Sequence, residues 1–66
     1  MQIMVNGSKH ELPTESTVSE LLDKLGYTGN RVAVERNGEI VPKSLHPSTA
    51  LADQDRIEIV VAVGGG

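Results

Sequence analysis

Sixty-six residues without cysteine, tryptophan or phenylalanine, and with Tyr27 as the single aromatic, make at most one domain with an aliphatic core. A fold of this size buries only about 60% of its unfolded surface and, lacking thiols, holds no disulfide, cysteine-bound zinc or iron–sulfur cluster, which argues against a self-contained enzyme. Six basic residues against nine acidic give a formal charge of −3, and scattered cations without an aromatic platform argue against a nucleic-acid partner.

Met1, Ile3 and Val5 alternate with Gln2 and Met4, the period of a half-buried strand. Asn6-Gly7 follows, and because both residues tolerate positive φ the pair predicts a tight hairpin. Residues 9–12 return, with His10 and Leu12 on one face, and Pro13 closes the strand. Thr17-Val18-Ser19-Glu20 reads as a capping box, and Val18, Leu21, Leu22 and Leu25 form the apolar stripe of a short helix. Gly26 stands where a left-handed cap belongs, with Lys24 in the last turn. After a turn-rich link over 27–30, residues 31–36 predict a strand. Asn37-Gly38 repeats the hairpin signal, and Glu39-Ile40-Val41 answers it before Pro42. Residues 43–54 read as a loop with a single turn around 49–51, and Asp53-Gln54-Asp55 as a turn into the last strand. That strand is expected over 56–63, with Ile57, Ile59, Val61 and Val63 on the core face and Glu58, Val60 and Ala62 on the other.

Hairpin, helix, then strands is the order of an α+β, β-grasp (ubiquitin-like) fold, a mixed sheet of about five strands packed on one main helix. The first and last strands are expected to run parallel at its centre, since both are strongly apolar. Residues 1–63 then form the domain and 64–66 a flexible C-terminal tail. No stretch approaches the ~20 apolar residues of a membrane span, and the start lacks the pattern of a signal peptide. The expectation is a cytoplasmic protein without a membrane partner.

The sequence ends Gly64-Gly65-Gly66. A terminal glycine run is commonly a frayed end, but here it follows a strong strand directly and the domain offers no other candidate site. Without Cβ atoms, Gly64 and Gly65 can thread a narrow channel in a partner and present the Gly66 carboxylate. That group, with a reference pKa of about 3.5, is ionised and a poor electrophile at neutral pH. ATP can activate it as an acyl-adenylate, open to capture by an amine or by sulfur. The lack of cysteine suits such a terminus, since an internal thiol would trap the activated acyl group.

The opening Met1-Gln2-Ile3-Met4-Val5-Asn6-Gly7, the run Val32-Ala33-Val34-Glu35-Arg36-Asn37-Gly38-Glu39-Ile40-Val41-Pro42 and the close from Asp53 to Gly66 together resemble the ThiS family of sulfur carriers in thiamine biosynthesis. The likeness covers essentially the whole chain. It implies that an E1-like, ThiF-like enzyme adenylates Gly66 at the expense of ATP, with no cofactor bound to the carrier itself. A sulfur relay from a cysteine desulfurase would then leave a thiocarboxylate on Gly66, and a ThiG-like thiazole synthase would accept the sulfur. Two departures stand out: a third glycine, Gly64, and Gln54 where the turn is often glycine. Alternatives in the same chemistry are a carrier for molybdopterin or cysteine synthesis and a ubiquitin-like protein modifier. A non-covalent regulatory β-grasp module is the alternative of another class.

Asp53, Asp55 and Glu58 lack the ligand set and glycine of a calcium loop and read as a solvated turn, so no metal is expected; they can also steer a basic partner. His10 and His46 stand in no catalytic pattern, read as ordinary surface or strand residues and take no role. Val60 and Ala62, with Ala33 beside them, either form an exposed apolar partner surface or lie under the loop of residues 43–51.

Overall fold

The computed structural model describes residues 1–27 and 31–61. Its frame is set by two Asn-Gly turns. Asn6 and Gly7 have φ of 50° and 84°, and Asn37 and Gly38 of 52° and 87°, so both central residues of each turn are left-handed, the twist that suits a two-residue hairpin. The first turn joins β1 (Gln2–Val5) to β2 (Ser8–Glu11), the second β3 (Val32–Arg36) to β4 (Glu39–Val41). Both predicted hairpins form.

The helix α1 (Val18–Leu25) starts as its sequence requires. Thr17 Oγ1 accepts from the Glu20 N–H at 3.2 Å while Glu20 Oε1 accepts from the Thr17 N–H at 2.8 Å. Gly26 ends it at φ 83°. Val18, Leu21 and Leu22 are buried against Ile3 and Val5 of β1, Val34, Val41, and Ile57 and Ile59 of β5 (Arg56–Val61), with Leu12 and Leu51 closing the core. The sheet order is β2-β1-β5-β3-β4. β5 lies at its centre, parallel to β1 and antiparallel to β3, a mixed five-stranded sheet packed on one helix. This is the β-grasp fold. Among the described residues no helix is long and apolar enough to cross a membrane.

Three local expectations are corrected. The single turn lies at Lys43–Leu45, not around 49–51. Pro42, at φ −56°, leads directly into it, whereas residues 46–51 are needed elsewhere. The first N–H groups of a helix have no partner within it, and here the Thr49 and His46 carbonyls accept from Val18 and Ser19 at 3.0 and 3.1 Å. Ala50 bridges Thr17, and the Leu51 N–H donates to Ser16 O at 2.8 Å. That stretch is held by its contacts with the start of the helix. His46, expected as an ordinary surface or strand residue, is buried with Nε2 3.1 Å from Val41 O. A carbonyl only accepts, so Nε2 carries the proton.

Val61 is 43% exposed rather than part of the core. The buried positions of β5 are Ile57 and Ile59, and burial stops there. Val63 lies outside the described residues.

Gln54 adopts φ 72°, the conformation that explains why glycine suits this turn. Relief of left-handed strain outweighs the added entropy of the unfolded chain. Gln54→Gly is therefore expected to raise stability by about 0.5 kcal/mol, read as a higher urea midpoint.

Candidate functional site

β5 is the element whose continuation carries the glycines, so what holds β5 determines where they begin. On one side it is bound by β1: the Met4 N–H donates to Asp55 O and the Asn6 N–H to Ile57 O, each at 2.9 Å. On the other it pairs with β3 from Arg36↔Ile57 to Val32↔Val61. Gly64, Gly65 and Gly66, and with them Ala62, lie outside the described residues.

The base of β5 is pinned by Asp55, which is not the solvated residue expected but is 6% exposed. Its carboxylate accepts from Arg36 Nε at 2.8 Å, Asn37 Nδ2 at 2.9 Å and the Ala52 N–H at 2.7 Å. Burial pushes its pKa up, but the Ala52, Asn37 and Arg36 hydrogen bonds and the guanidinium charge together hold it below the ordinary carboxylate range. Asp53 is held low as well, by the Gln2 N–H and then the Gln54 amide, but it faces solvent. The two aspartates thus organise a turn. Among the described residues no three His, Asp or Glu side chains converge as a metal site.

The sheet face opposite α1 is open. Ala33 stands directly across from Val60 in the β3–β5 ladder, and both are exposed, Val60 by 60%. The loop of residues 43–51 does not cover them, because it is tied to the start of α1 on the other face. Next along the strands, Glu35 is paired with Glu58 on one side and with Ile40, 62% exposed, on the other. The face therefore presents an apolar rim, Ala33, Val60 and Ile40, around two facing carboxylates. Arg36 and Asp55 form an ion pair, and among the described residues no cation closes on Glu35 or Glu58. Arg56 is nearest in the strand, two positions before Glu58. Like charges directly across a ladder repel, so Glu58→Lys is expected to stabilise the fold by about 0.5 kcal/mol, measured by urea unfolding.

The sheet order, the single capped helix and the open face can now be set beside known proteins. The sequence model of the ThiS family matches residues 2–66. The chain belongs to the ThiS family. The crystal structure of a thiamine biosynthesis protein (ThiS) from Geobacter metallireducens superposes with a TM-score of 0.84, at 32% identity and over the whole of both chains. The sulfur carrier protein ThiS of Bacillus subtilis is 44% identical over 50 residues, 76% of each chain. A thiazole synthase of Paramagnetospirillum magneticum is 46% identical over 66 residues, which are all of this chain but 20% of that protein. The chain thus spans about a fifth of the length of that relative, and of a second thiazole synthase from Magnetococcus marinus.

Proposed function

We propose that this chain is a sulfur carrier of thiamine biosynthesis, a protein co-substrate on which partner enzymes act. The observation that carries this reading is a ThiS-family match over residues 2–66 in a sequence that closes on Gly64-Gly65-Gly66. The Gly66 carboxylate attacks the α-phosphorus of ATP in an E1-like, ThiF-like enzyme, releasing pyrophosphate and forming an acyl-adenylate. A persulfide from a cysteine desulfurase relay displaces AMP, and a thiol then cleaves the S–S bond, leaving a thiocarboxylate on Gly66. Gly64 and Gly65 let the backbone pass a channel too narrow for side chains. No cofactor stays on the carrier, and the ATP is spent by the activating enzyme.

The sheet face around Ala33, Val60 and the adjoining Ala62 is the docking surface in this reading, with Glu35 and Glu58 favouring a partner that brings a cation. Thiazole synthase is the acceptor of the sulfur. Support for that pairing is the homologous stretch that makes up a fifth of two proteins named thiazole synthase.

The test is intact-mass spectrometry of the chain after incubation with ATP, an adenylating enzyme of the ThiF type, a desulfurase and cysteine. The adenylate mass without the sulfur source, and one oxygen exchanged for sulfur with it, support the reading. An unchanged mass beside an enzyme that activates its own carrier overturns it. Adducts on lysines of other proteins point instead to a modifier.

A further inference from the structure

The two Asn-Gly tips share a feature that turn geometry does not require. Glycine or aspartate at the first position would satisfy the same left-handed turn. Yet both asparagine side chains reach sideways onto the backbone of β5. The Asn37 N–H donates to Arg56 O at 2.8 Å, and Asn37 Oδ1 accepts from the Arg56 N–H at 2.8 Å. The Asn6 N–H donates to Ile57 O at 2.9 Å, Asn6 Oδ1 accepts from the Ile59 N–H at 2.8 Å, and Asn6 Nδ2 donates to Ile59 O at 3.2 Å.

The pattern is the same on the two flanks of the central strand. Each asparagine keeps its backbone N–H in the ladder, then turns at φ near +50°, which takes its own carbonyl out of the ladder. The side-chain amide oxygen accepts the β5 N–H in that carbonyl's place. At Asn6 the amide nitrogen also serves the next β5 carbonyl, so β1 is extended by one step beyond Val5, its last residue. Only a side chain with an acceptor and a donor on one short stem does this; aspartate has no donor and glycine neither group.

We propose that Asn6 and Asn37 are positioning residues that clamp β5 from both sides, so that the segment after Val61 starts from a fixed place on the sheet. Among the described residues Asn6 is the last grip on the β1 side, and beyond Ile59 β3 alone remains alongside. The consequence for transfer rests on the carrier reading. A strand slipped by one residue moves its end by about 3.3 Å and exchanges its faces. A reacting group delivered into a partner's site tolerates much less than that. Fraying from Ile59 onward would also add disorder that docking must remove.

Asn6→Gly separates the two roles, because Gly-Gly keeps both left-handed residues of the turn and deletes the clamp. Asn6→Asp keeps the turn and one acceptor but sets an oxygen against Ile59 O, and serves if the first variant fails to fold. The full chain is followed by amide hydrogen exchange, by urea unfolding and by adenylation kinetics with the ThiF-type enzyme. The Ile59 N–H is expected to exchange on the order of tenfold faster in Asn6→Gly, and by a smaller factor in Asn6→Asp, which keeps its acceptor. Leu21 and Val34 amides should follow only the change in global stability seen in urea. The KM for the carrier rises severalfold with kcat kept, a rise larger than the unfolded fraction read from urea accounts for, since that fraction raises KM only in proportion to the carrier it removes. Unchanged protection at Ile59 overturns the clamp, and an unchanged KM overturns its role in transfer. If the wild-type chain is not adenylated at all, the carrier reading fails instead, and Ile59 exchange alone decides the clamp.

Discussion

Asp55→Ala is expected to destabilise the domain by about 3 kcal/mol or more, the effect of removing one member of a buried, hydrogen-bonded charge pair. The carboxylate joins two parts of the chain: Arg36 and Asn37 at the second hairpin and Ala52 in the turn before β5. Its loss leaves the Ala52 N–H and the Asn37 amide without their acceptor. The Arg36 side chain is 32% exposed and can turn to water, which keeps the loss at the lower end of the range. For 66 residues the whole stability is of order 3–10 kcal/mol, so the variant should be partly unfolded at neutral pH, seen directly in a urea titration. A midpoint within experimental error of wild type would show that the network is incidental.

The same group sets a dependence on pH. The folded pKa of Asp55 lies below its unfolded value, so its contribution is complete above the unfolded value of about 3.9 and is lost as pH falls through the folded pKa. The stability gap between wild type and Asp55→Asn should therefore narrow as pH drops below about 4. Urea midpoints at neutral and acid pH give this directly; a constant gap would mean that the charge of Asp55 is not what the folded state uses.

Deletion of Gly66 is expected to abolish adenylation and sulfur loading while leaving the fold unchanged. The carboxylate would then sit on Gly65, one residue or about 3.5 Å short of its place, against the sub-ångström positioning that a reacting atom needs. Every residue of the described core lies at or before Ile59, so urea unfolding should match the full chain. Adenylation of the shortened chain at the wild-type rate would remove Gly66 from the mechanism, and a lowered urea midpoint would give the tail a structural part.

Much of this was legible in the residues because it depends on short-range rules. Asn-Gly twice, the Thr17–Glu20 box and the Val18-Leu21-Leu22 stripe each act within a few positions, and each formed as read. Asp55 was misread for the opposite reason. Asp53-Gln54-Asp55 looks like a wet turn within its own window, and the partners that bury Asp55 lie 18 and 19 residues earlier. His46 was passed over likewise, since the Val41 carbonyl it meets and the helix start its own carbonyl serves are brought together only by the closed fold. Val61 was placed in the core by alternation, which has no knowledge of where burial along a strand stops.

By itself the sequence determined a small aliphatic β-grasp domain and its membership of the ThiS family. Only the tertiary structure decided which face of the sheet stays open, that Glu35 and Glu58 oppose each other there, and that two turn asparagines grip the strand leading to the glycines. Periodicity and turn preference are properties of neighbouring residues. Cross-strand register is a property of segments that meet only after the chain has closed on itself, and no local pattern carries it.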